Sequence, residues 1–518
     1  MPFPHFSEFS QLSRHGNFIP VYQELVADLD TPVSAWYRVC QGQPYSFLLE
    51  SVEGGERLGR YSLLGCDPLW WLVARGDITV QTYRSGQQVV HQGNPFQILQ
   101  DCLAPIRPVT LPELPASLGG LIGFWGYELI QWIEPKVPTY PCTAEDVPDG
   151  LWMQVDSLLV FDQVKRKIWA IAYADTRDSN LQTAYERAVA RVNLLVDKLQ
   201  SPLSGDHTAI RWSNPSLQPP VPYTSNKTKA EFCRAVERTK EYIRAGDIFQ
   251  GVISQRLTAD FTGDPFALYR SLRVINPSPY MAYLHFDRWQ IVGSSPEVMV
   301  KAEWTPDRQA LKATVRPIAG TRPRGKTEQE DQALSQELLH DPKEIAEHIM
   351  LVDLGRNDLG RVCQAGTVQV DELMIVERYS HVMHIVSNIT GILRPDQTAW
   401  QLLQACFPAG TVSGAPKIRA MEIIYELEGD RRSAYAGCYG YYDFSGQLHT
   451  AITIRTMIVR NGRVSVQAGA GIVADSIPEN EYQETLNKAR AMLEAMRYLE
   501  PEGGVSHRRA AVATQQFS

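Results

Sequence analysis

Apolar residues recur three and four apart from about Asn180 to Leu199, the spacing of an amphipathic helix. Ahead of it, short alternating or continuous apolar runs at Asp77–Thr82, Trp152–Phe161 and Ile168–Tyr173 predict strands. Ser201–Thr228 breaks the pattern, with five prolines and little periodicity, the composition of an extended connector. A boundary falls there, between an N-terminal domain of residues 1–215 and a C-terminal domain of 224–500, with a frayed tail at 501–518.

Beyond the connector, helices and strands mix. Thr228-x-x-Glu231 is a capping box, and Phe232, Val236, Tyr242 and Ile243 follow at helical spacing until Gly246 stops the helix. A strand over Ile248–Leu257 should come next. Near the C-terminal end, Tyr435–Asp443, Gln447–Arg460 and Arg463–Val473 read as a three-strand meander, with Asn461-Gly462 as a type I′ hairpin turn. In such a hairpin the numbers of facing residues sum to 923, which sets Arg455 opposite Ala468, beside Gly469 and Gly471. A guanidinium beside bare backbone N–H groups suits an anion. There is no repeat at solenoid periods, so the expected class is α+β.

Charge narrows the partners. Fifty basic residues against 58 acidic ones, a formal net charge of −8, argue against binding nucleic acid through a basic surface and for small molecules or proteins. Eight cysteines without CxxC or Cys–His ligand spacing are too sparse for a disulfide scaffold, so buried, reduced thiols are expected. The start of the chain lacks a basic segment followed by an apolar one, and no apolar run is long enough to span a bilayer. A cytoplasmic protein is the expectation.

Two segments place carboxylates in register. Asp341-Pro342-Lys343-Glu344 opens a helix on which Glu344, Glu347 and Leu351 share a face, although Glu344 also suits the cap and dipole of that first turn. The segment Ser476–Glu484 repeats the arrangement with Glu481 and Glu484, ahead of a buried stripe of Tyr482, Leu486, Ala489, Leu493 and Met496; Glu484 also stands four residues from Lys488, a common surface pair. Two such helices can aim four carboxylates at one point, and Mg²⁺ would suit them because it takes oxygen ligands and commonly bridges to an anionic substrate. Glu297 follows the apolar strand Trp289–Gly293 at a strand-to-loop corner, as a surface turn or an acid. His384 interrupts the apolar run Val382–Ser387, as a satisfied core residue or a catalyst. Phe407–Lys417 is a small-residue loop before a helix, able to hold oxyanions, though not at P-loop spacing.

Together these strings resemble the chorismate-utilising enzymes, most closely the large, aminase components of anthranilate synthases. The residues that carry the likeness are GDIFQGVISQR (246–256), NPSPYMAY (276–283), GSSPE (293–297), RPIAGTRPRG (316–325), EIAEHIMLVDLGRNDLGRV (344–362), HVMHIVS (381–387), FPAGTVSGAPKIRAMEII (407–424), IRT (454–456) and GAGIVADSIPENEYQE (469–484). The likeness runs from about residue 17 to 500. It implies an α+β fold, a β-sandwich of large antiparallel sheets flanked by helices, with the active site in the C-terminal part. It also implies a lyase that converts chorismate and ammonia to anthranilate and pyruvate, the first step of tryptophan biosynthesis, with Mg²⁺ clamping the ring carboxylate.

Residue by residue, the resemblance implies that Glu347 and Glu484 ligate Mg²⁺, with Glu344 and Glu481 holding its waters. It implies that Gly320, Thr321, Thr411, Tyr435, Arg455, Gly469, Ala470, Gly471 and Lys488 contact substrate, that Glu297 protonates the departing C4 hydroxyl, and that His384 serves the loss of pyruvate. Water-using relatives carry Lys where this chain has Gln250, and aminodeoxychorismate synthases usually carry Lys where it has Ala319, so the pair implies direct amination. Ser51, with Leu48–Ser51 and Gly59–Ser62 around it, and Pro279, Tyr280 and Met281 resemble a tryptophan feedback pocket. A Gly-x-Cys-x-Gly elbow is absent, the nearest string being Ala436-Gly-Cys438-Tyr-Gly440. Ammonia is therefore expected from a glutamine amidotransferase subunit, in a heterotetramer of two large and two small subunits. The alternatives are aminodeoxychorismate synthase component I and a non-catalytic tryptophan-binding regulatory subunit.

Overall fold

The computed structural model describes residues 1–51, 60–115, 120–177, 179–203, 219–379 and 382–499; the expected tail, Gly59 and most of the connector lie outside them. Local sequence sets the helix starts. The Asn180 side chain accepts from the Thr183 N–H to cap Leu181–Gln200, the Thr228/Glu231 box opens Lys229–Arg244, and the Asp341 carboxylate accepts from the Lys343 and Glu344 N–H groups to open Pro342–Gly360. None of the helices among the described residues is long and apolar enough to cross a membrane, and all eight cysteines are unpaired.

Among the described residues, two antiparallel sheets of 12 strands each form the body of the molecule. The first runs in the order Phe18–Val26, Lys167–Asp175, Ser157–Asp162, Tyr61–Cys66, Tyr45–Glu50, Tyr280–Phe286, Trp289–Ser295, Thr456–Arg460, Arg463–Ile472 and Gln250–Asp260, closed by Thr224–Ser225. The second runs from Ile318–Pro323 and Val382–Ile392 through Leu311–Val315, Val298–Trp304, Leu448–Ile452 and Cys438–Asp443 to Gly120–Trp125, Gly150–Gln154, Trp70–Arg75, Ile78–Tyr83 and Gln88–Gln92. Both sheets pass across the expected domain boundary: Met281 pairs with Glu50 in one and Tyr439 with Phe124 in the other. The seam is packed as well, with Trp36 stacked 3.7 Å from Phe266 and the buried Glu50 accepting from Tyr269 Oη at 2.5 Å and Arg273 Nε at 3.0 Å. The main core lies between the inner faces, where Phe124 of one sheet meets Trp289 of the other edge-to-face at 5.3 Å.

Four short links among the described residues carry the chain directly from one sheet to the other, at residues 67–69, 155–156, 296–297 and 453–455. Strands that change sheets at a bend are how two packed sheets make corners. They correct two expectations. Trp152–Phe161 is two strands, because Asp156 is buried at a corner and accepts from Arg84 at 2.8 Å and Arg191 at 3.2 Å. Gln447–Arg460 is also two strands, so the expected meander is a pair of hairpins in different sheets.

The turn itself follows its sequence: Asn461 and Gly462 have φ of 51° and 71°, as type I′ requires. The pairs from Met457↔Val466 to Arg460↔Arg463 keep the predicted register. The ladder ends before Arg455, which sits in the corner with φ 48°. Arg455 therefore does not face Ala468.

Candidate active site at the sheet corners

Two of the four corners supply chemistry. Glu297 occupies the 296–297 link, 6 % exposed. Burial pushes its carboxyl up to about 8, against the lowering effects of the Thr411 hydroxyl, the Ile318 amide and the charges of Arg455 and Lys488. Thr411 Oγ1 lies 3.0 Å from Glu297 Oε1. A carboxyl so placed is neutral at pH 7 and has a proton to give.

His384 lies on Val382–Ile392, paired with Thr321 of the neighbouring strand. Its Nδ1 is 3.0 Å from the Gly320 carbonyl oxygen and 3.0 Å from Thr321 Oγ1. A carbonyl only accepts, so Nδ1 carries the proton and Nε2 keeps its lone pair. Burial pulls the imidazole down to about 4, so it stays uncharged, with Tyr379 edge-on at 5.7 Å. Gly320 is needed for this arrangement: its φ is 65°, and a Cβ there would stand 2.9 Å from Leu338 Cδ1 and 3.1 Å from Glu344 Oε2. Gly320→Ala should cost about 1–2 kcal/mol from the backbone alone, measured by urea unfolding at neutral pH. An unchanged midpoint and slope would contradict the contact.

Arg455, half-buried in the second corner, has no side-chain hydrogen bond or ion pair among the described residues. Burial pulls its pKa down while Glu297 and Tyr379 oppose the shift. Its charge acts on both Glu297 and His384. This free guanidinium is the natural grip for a carboxylate.

Gln250 begins the strand beside Gly469–Gly471. Its Nε2 donates to Glu347 Oε1 at 2.9 Å, and the same amide lies 2.6 Å from where a Cβ on Gly471 would stand, with Glu347 Oε1 at 3.7 Å from that point. Lys488 Nζ donates to the Gly469 carbonyl at 3.0 Å and pairs with Glu484 at 2.8 Å. Tyr435 lays its hydroxyl 2.7 Å from the Cβ position of Gly469. Ala470 turns its methyl into the core on the opposite face, leaving only its backbone to this side.

Glu347 and Glu484 thus flank one glycine-bearing strand. Burial raises both Glu344 and Glu481, and the neighbouring carboxylates of Glu347 and Glu484 push them the same way. Among the described residues no three His, Cys, Asp or Glu side chains form a preformed metal cage. The helix Pro478–Arg497 is rolled from its expected stripe: Glu481, Thr485, Ala489, Met492, Ala495 and Met496 are buried, while Tyr482, Leu486 and Leu493 are half-buried.

Away from this centre, Ser51 follows the Glu50–Met281 pair of strands. Pro279 and Met281 are buried and Tyr280 half-buried under Lys301, whose Nζ is 5.7 Å from the ring centroid. Ser51 Oγ is buried without a hydrogen-bond partner among the described residues.

Three residues that sequence reasoning passed over bear on the site. Arg322 bridges Glu344, Asp341 and Glu337, Tyr379 faces His384, and the buried Arg432 donates to the carbonyls of Val412 and Val252, next to Thr411 and near Gln250. Arg322 lies in a quoted string and Tyr379 two residues before one, while Arg432 stands in none; the links that bring them to the site, such as Arg432 to the Val252 carbonyl, run across the fold and leave no local spacing to read.

A fold of two large sheets with a neutral acid and an unpaired arginine at its corners and a neutral imidazole on the strand Val382–Ile392 places the chain in a defined class. The model of the chorismate binding enzyme family matches residues 48–494, and the chain belongs to that family. Within it, the chain is 65% identical over 505 residues to anthranilate synthase component 1 of Synechocystis sp., covering 96% of this chain and 99% of the relative. It is 46% identical to anthranilate synthase component 1 of Acetivibrio thermocellus, covering 96% and 99%. The crystal structure of anthranilate synthase component I from Streptococcus pneumoniae superposes with a TM-score of 0.74 at 38% identity, covering 90% of this chain and 99% of that one.

Proposed function

We propose that the chain is the chorismate-aminating component of an anthranilate synthase, a cytoplasmic enzyme that converts chorismate and ammonia to anthranilate, pyruvate and water in tryptophan biosynthesis. The observation that carries the reading is the joint presence of a protonated, buried Glu297 and an imidazole with a free Nε2, both under the charge of an unpaired Arg455.

Arg455 takes a substrate carboxylate, and Thr411, Thr321, Tyr435, Lys488 and the backbone at Gly320 and Gly469–Gly471 orient the ring. Glu297 passes its proton to the C4 hydroxyl, which leaves as water while ammonia adds at C2 and the ring double bonds shift. Gln250 donates one of its two amide N–H groups to Glu347, which orients the amide, and its carbonyl oxygen accepts from the incoming amine. An amide is no base, which suits a nucleophile that already has its lone pair and disfavours water. His384 Nε2 then takes the C2 proton, the ring becomes aromatic, and the C3–O bond breaks to release enolpyruvate, which tautomerises to pyruvate.

Mg²⁺ fits the donors present. They are oxygen only, and Glu344 and Glu481 are each raised by burial and by the neighbouring carboxylate, Glu347 or Glu484, despite the opposing charges of Arg322 and Lys488. A cation that takes one or two carboxylates and keeps its waters needs no three-residue cage. Glu347 and Glu484 would hold it, with Glu344 and Glu481 behind waters, and when bound it neutralises the ring carboxylate.

Ammonia comes from a glutamine amidotransferase partner, component II, in a heterotetramer of two large and two small subunits. Tryptophan, the pathway's product, acts as a feedback inhibitor against Ser51, Pro279, Tyr280 and Met281, where the partnerless Ser51 hydroxyl supports a polar ligand.

Incubation with chorismate, Mg²⁺ and ammonium salt at alkaline pH should give blue anthranilate fluorescence without an added lyase. A chelator should extinguish the signal and Mg²⁺ restore it. Chorismate consumed without fluorescence would reject the reading.

A further inference from the structure

Two helices near the site carry a charge at the wrong end. Lys417 is the first residue of the helix Lys417–Glu428, whose first turn has no acidic residue, and Asp358 stands in the last turn of Pro342–Gly360, which has no basic one. A cation at a helix N-terminus and an anion at a C-terminus both oppose the peptide dipoles. The fold answers both faults with one contact: Lys417 Nζ donates to Asp358 Oδ2 at 2.8 Å, with the two side chains 11 % and 12 % exposed. A buried pair of this kind is a poor source of stability, because desolvation offsets the attraction. Burial raises the Asp358 carboxyl even against the pull of Lys417 and Arg361. What the pair supplies is register.

Lys417 closes a loop. Its Nζ also donates at 2.9 Å to the carbonyl of Cys406, the last residue of the helix Ala399–Cys406. The two ends of the segment 406–417 are thereby stapled to each other and to the helix that carries Glu344 and Glu347. Thr411 lies in the middle of that segment, with its hydroxyl on Glu297. The far limb is fastened from the other side, where Arg432 donates to the Val412 carbonyl and the Val252 N–H to the Ser413 carbonyl. The near limb touches the helix at Gly410, where a Cβ would stand 2.2 Å from Leu354 Cδ2. Beside that contact lies a cavity of about 40 Å³, with Glu297, Thr411, Cys406 and Asp358 in its lining. Packing alone leaves the near limb room to shift, and the staple removes it.

We propose that Lys417 and Asp358 are positioning residues for the proton transfer, holding residues 406–411 so that Thr411 keeps Glu297 aimed at the leaving hydroxyl. The proposal rests on the amination reading above and adds to it the support of its acid. Among the described residues neither member of the pair bonds to Glu297 or Thr411, so both act through the loop. Glu297 itself is faced by Thr411, the Ile318 amide, Arg455 and Lys488, while Arg316 shares the cavity but is paired with Glu377.

Asp358→Leu/Lys417→Met removes both charges together, so the local net charge is kept and only the staple is lost. With saturating chorismate and free ammonia held constant as pH varies, kcat should fall about 10–100-fold, the scale of a misplaced catalytic group, while the chorismate KM stays within about threefold. The Thr411 hydroxyl holds the Glu297 carboxyl down. Once that hydroxyl drifts away, the fall of kcat with rising pH should move from about pH 8 toward about pH 9. Thr411→Val should move it equally, and adding the pair change to Thr411→Val should cost less than a further twofold. Lys417→Met alone gives the same readings should the pair variant not fold, its Asp358 free to take up a proton. A folded variant with kcat within twofold of the parent, or with the limb still at about pH 8, overturns the proposal, as do losses that multiply in the triple variant. A parent that makes no anthranilate removes the amination reading instead, whereas a parent that turns over beside an unmoved limb removes the staple alone.

Discussion

Glu297→Gln should lower kcat for anthranilate formation by about 10²–10⁴-fold, the usual contribution of a positioned general acid. The amide keeps the shape and can still accept from Thr411, so chorismate binding should change little and the loss should fall on kcat. With the carboxyl at about 8, the parent holds its proton below that pH and loses it above. Glutamine-driven turnover should therefore fall as pH rises through about 8 in the parent, and the residual rate of the variant should lack that limb. Stability follows the same group. The folded value lies above the ordinary 4.5, so its contribution is complete below pH 4.5 and drains away as pH rises toward 8. Above pH 8 the variant should be the more stable protein, by on the order of a few kcal/mol in denaturant titrations. A parent-like kcat would reject Glu297 as the acid.

His384→Asn should be nearly as damaging, by about 10²-fold or more in kcat, and should fail at a different stage. The asparagine amide can donate to the Gly320 carbonyl as Nδ1 does, but nothing replaces Nε2. Amination should proceed, and aminodeoxyisochorismate, the aminated diene, should accumulate where the parent releases anthranilate. Chromatography of single-turnover mixtures reads this directly, and absence of the diene would remove His384 from the second half. Because burial holds the imidazole at about 4, below its ordinary 6.5, elimination from the isolated diene should stay flat from neutral pH down to about 4. The linkage has the opposite sign to that of Glu297: stability from this histidine is present above pH 6.5 and is lost as pH falls toward 4.

Features written in a few adjacent residues were legible in the sequence. The caps at Thr228 and Asp341 and the Asn461-Gly462 turn are contacts within three or four residues, and each formed as read. The corners were not legible. A chain that leaves one sheet for the other at Asp156 or Thr453 keeps its apolar run, because both sheets bury it, and only a long-range partner such as Arg84 distinguishes a corner from a continuous strand. The same blindness misplaced Arg455, whose hairpin register held for four pairs and then ended at the bend. Pattern also could not reveal that strands from the first 170 residues complete sheets begun after residue 250. At the site, the residue types of Glu297 and His384 were readable and their protonation was not, since burial and one carbonyl at Gly320 set it.

The shared first sheet also shortens the distance a signal must travel. Glu50, the neighbour of Ser51, pairs with Met281, Met281 pairs with Ser294, and the Ser294 N–H donates to the Arg455 carbonyl at 3.1 Å. Three strand spacings, about 14 Å of hydrogen-bonded lattice, separate the serine from the arginine, with no hinge between them. A ligand that wedges the edge of this ladder at Ser51 acts on a lever whose far arm is the backbone beneath the guanidinium.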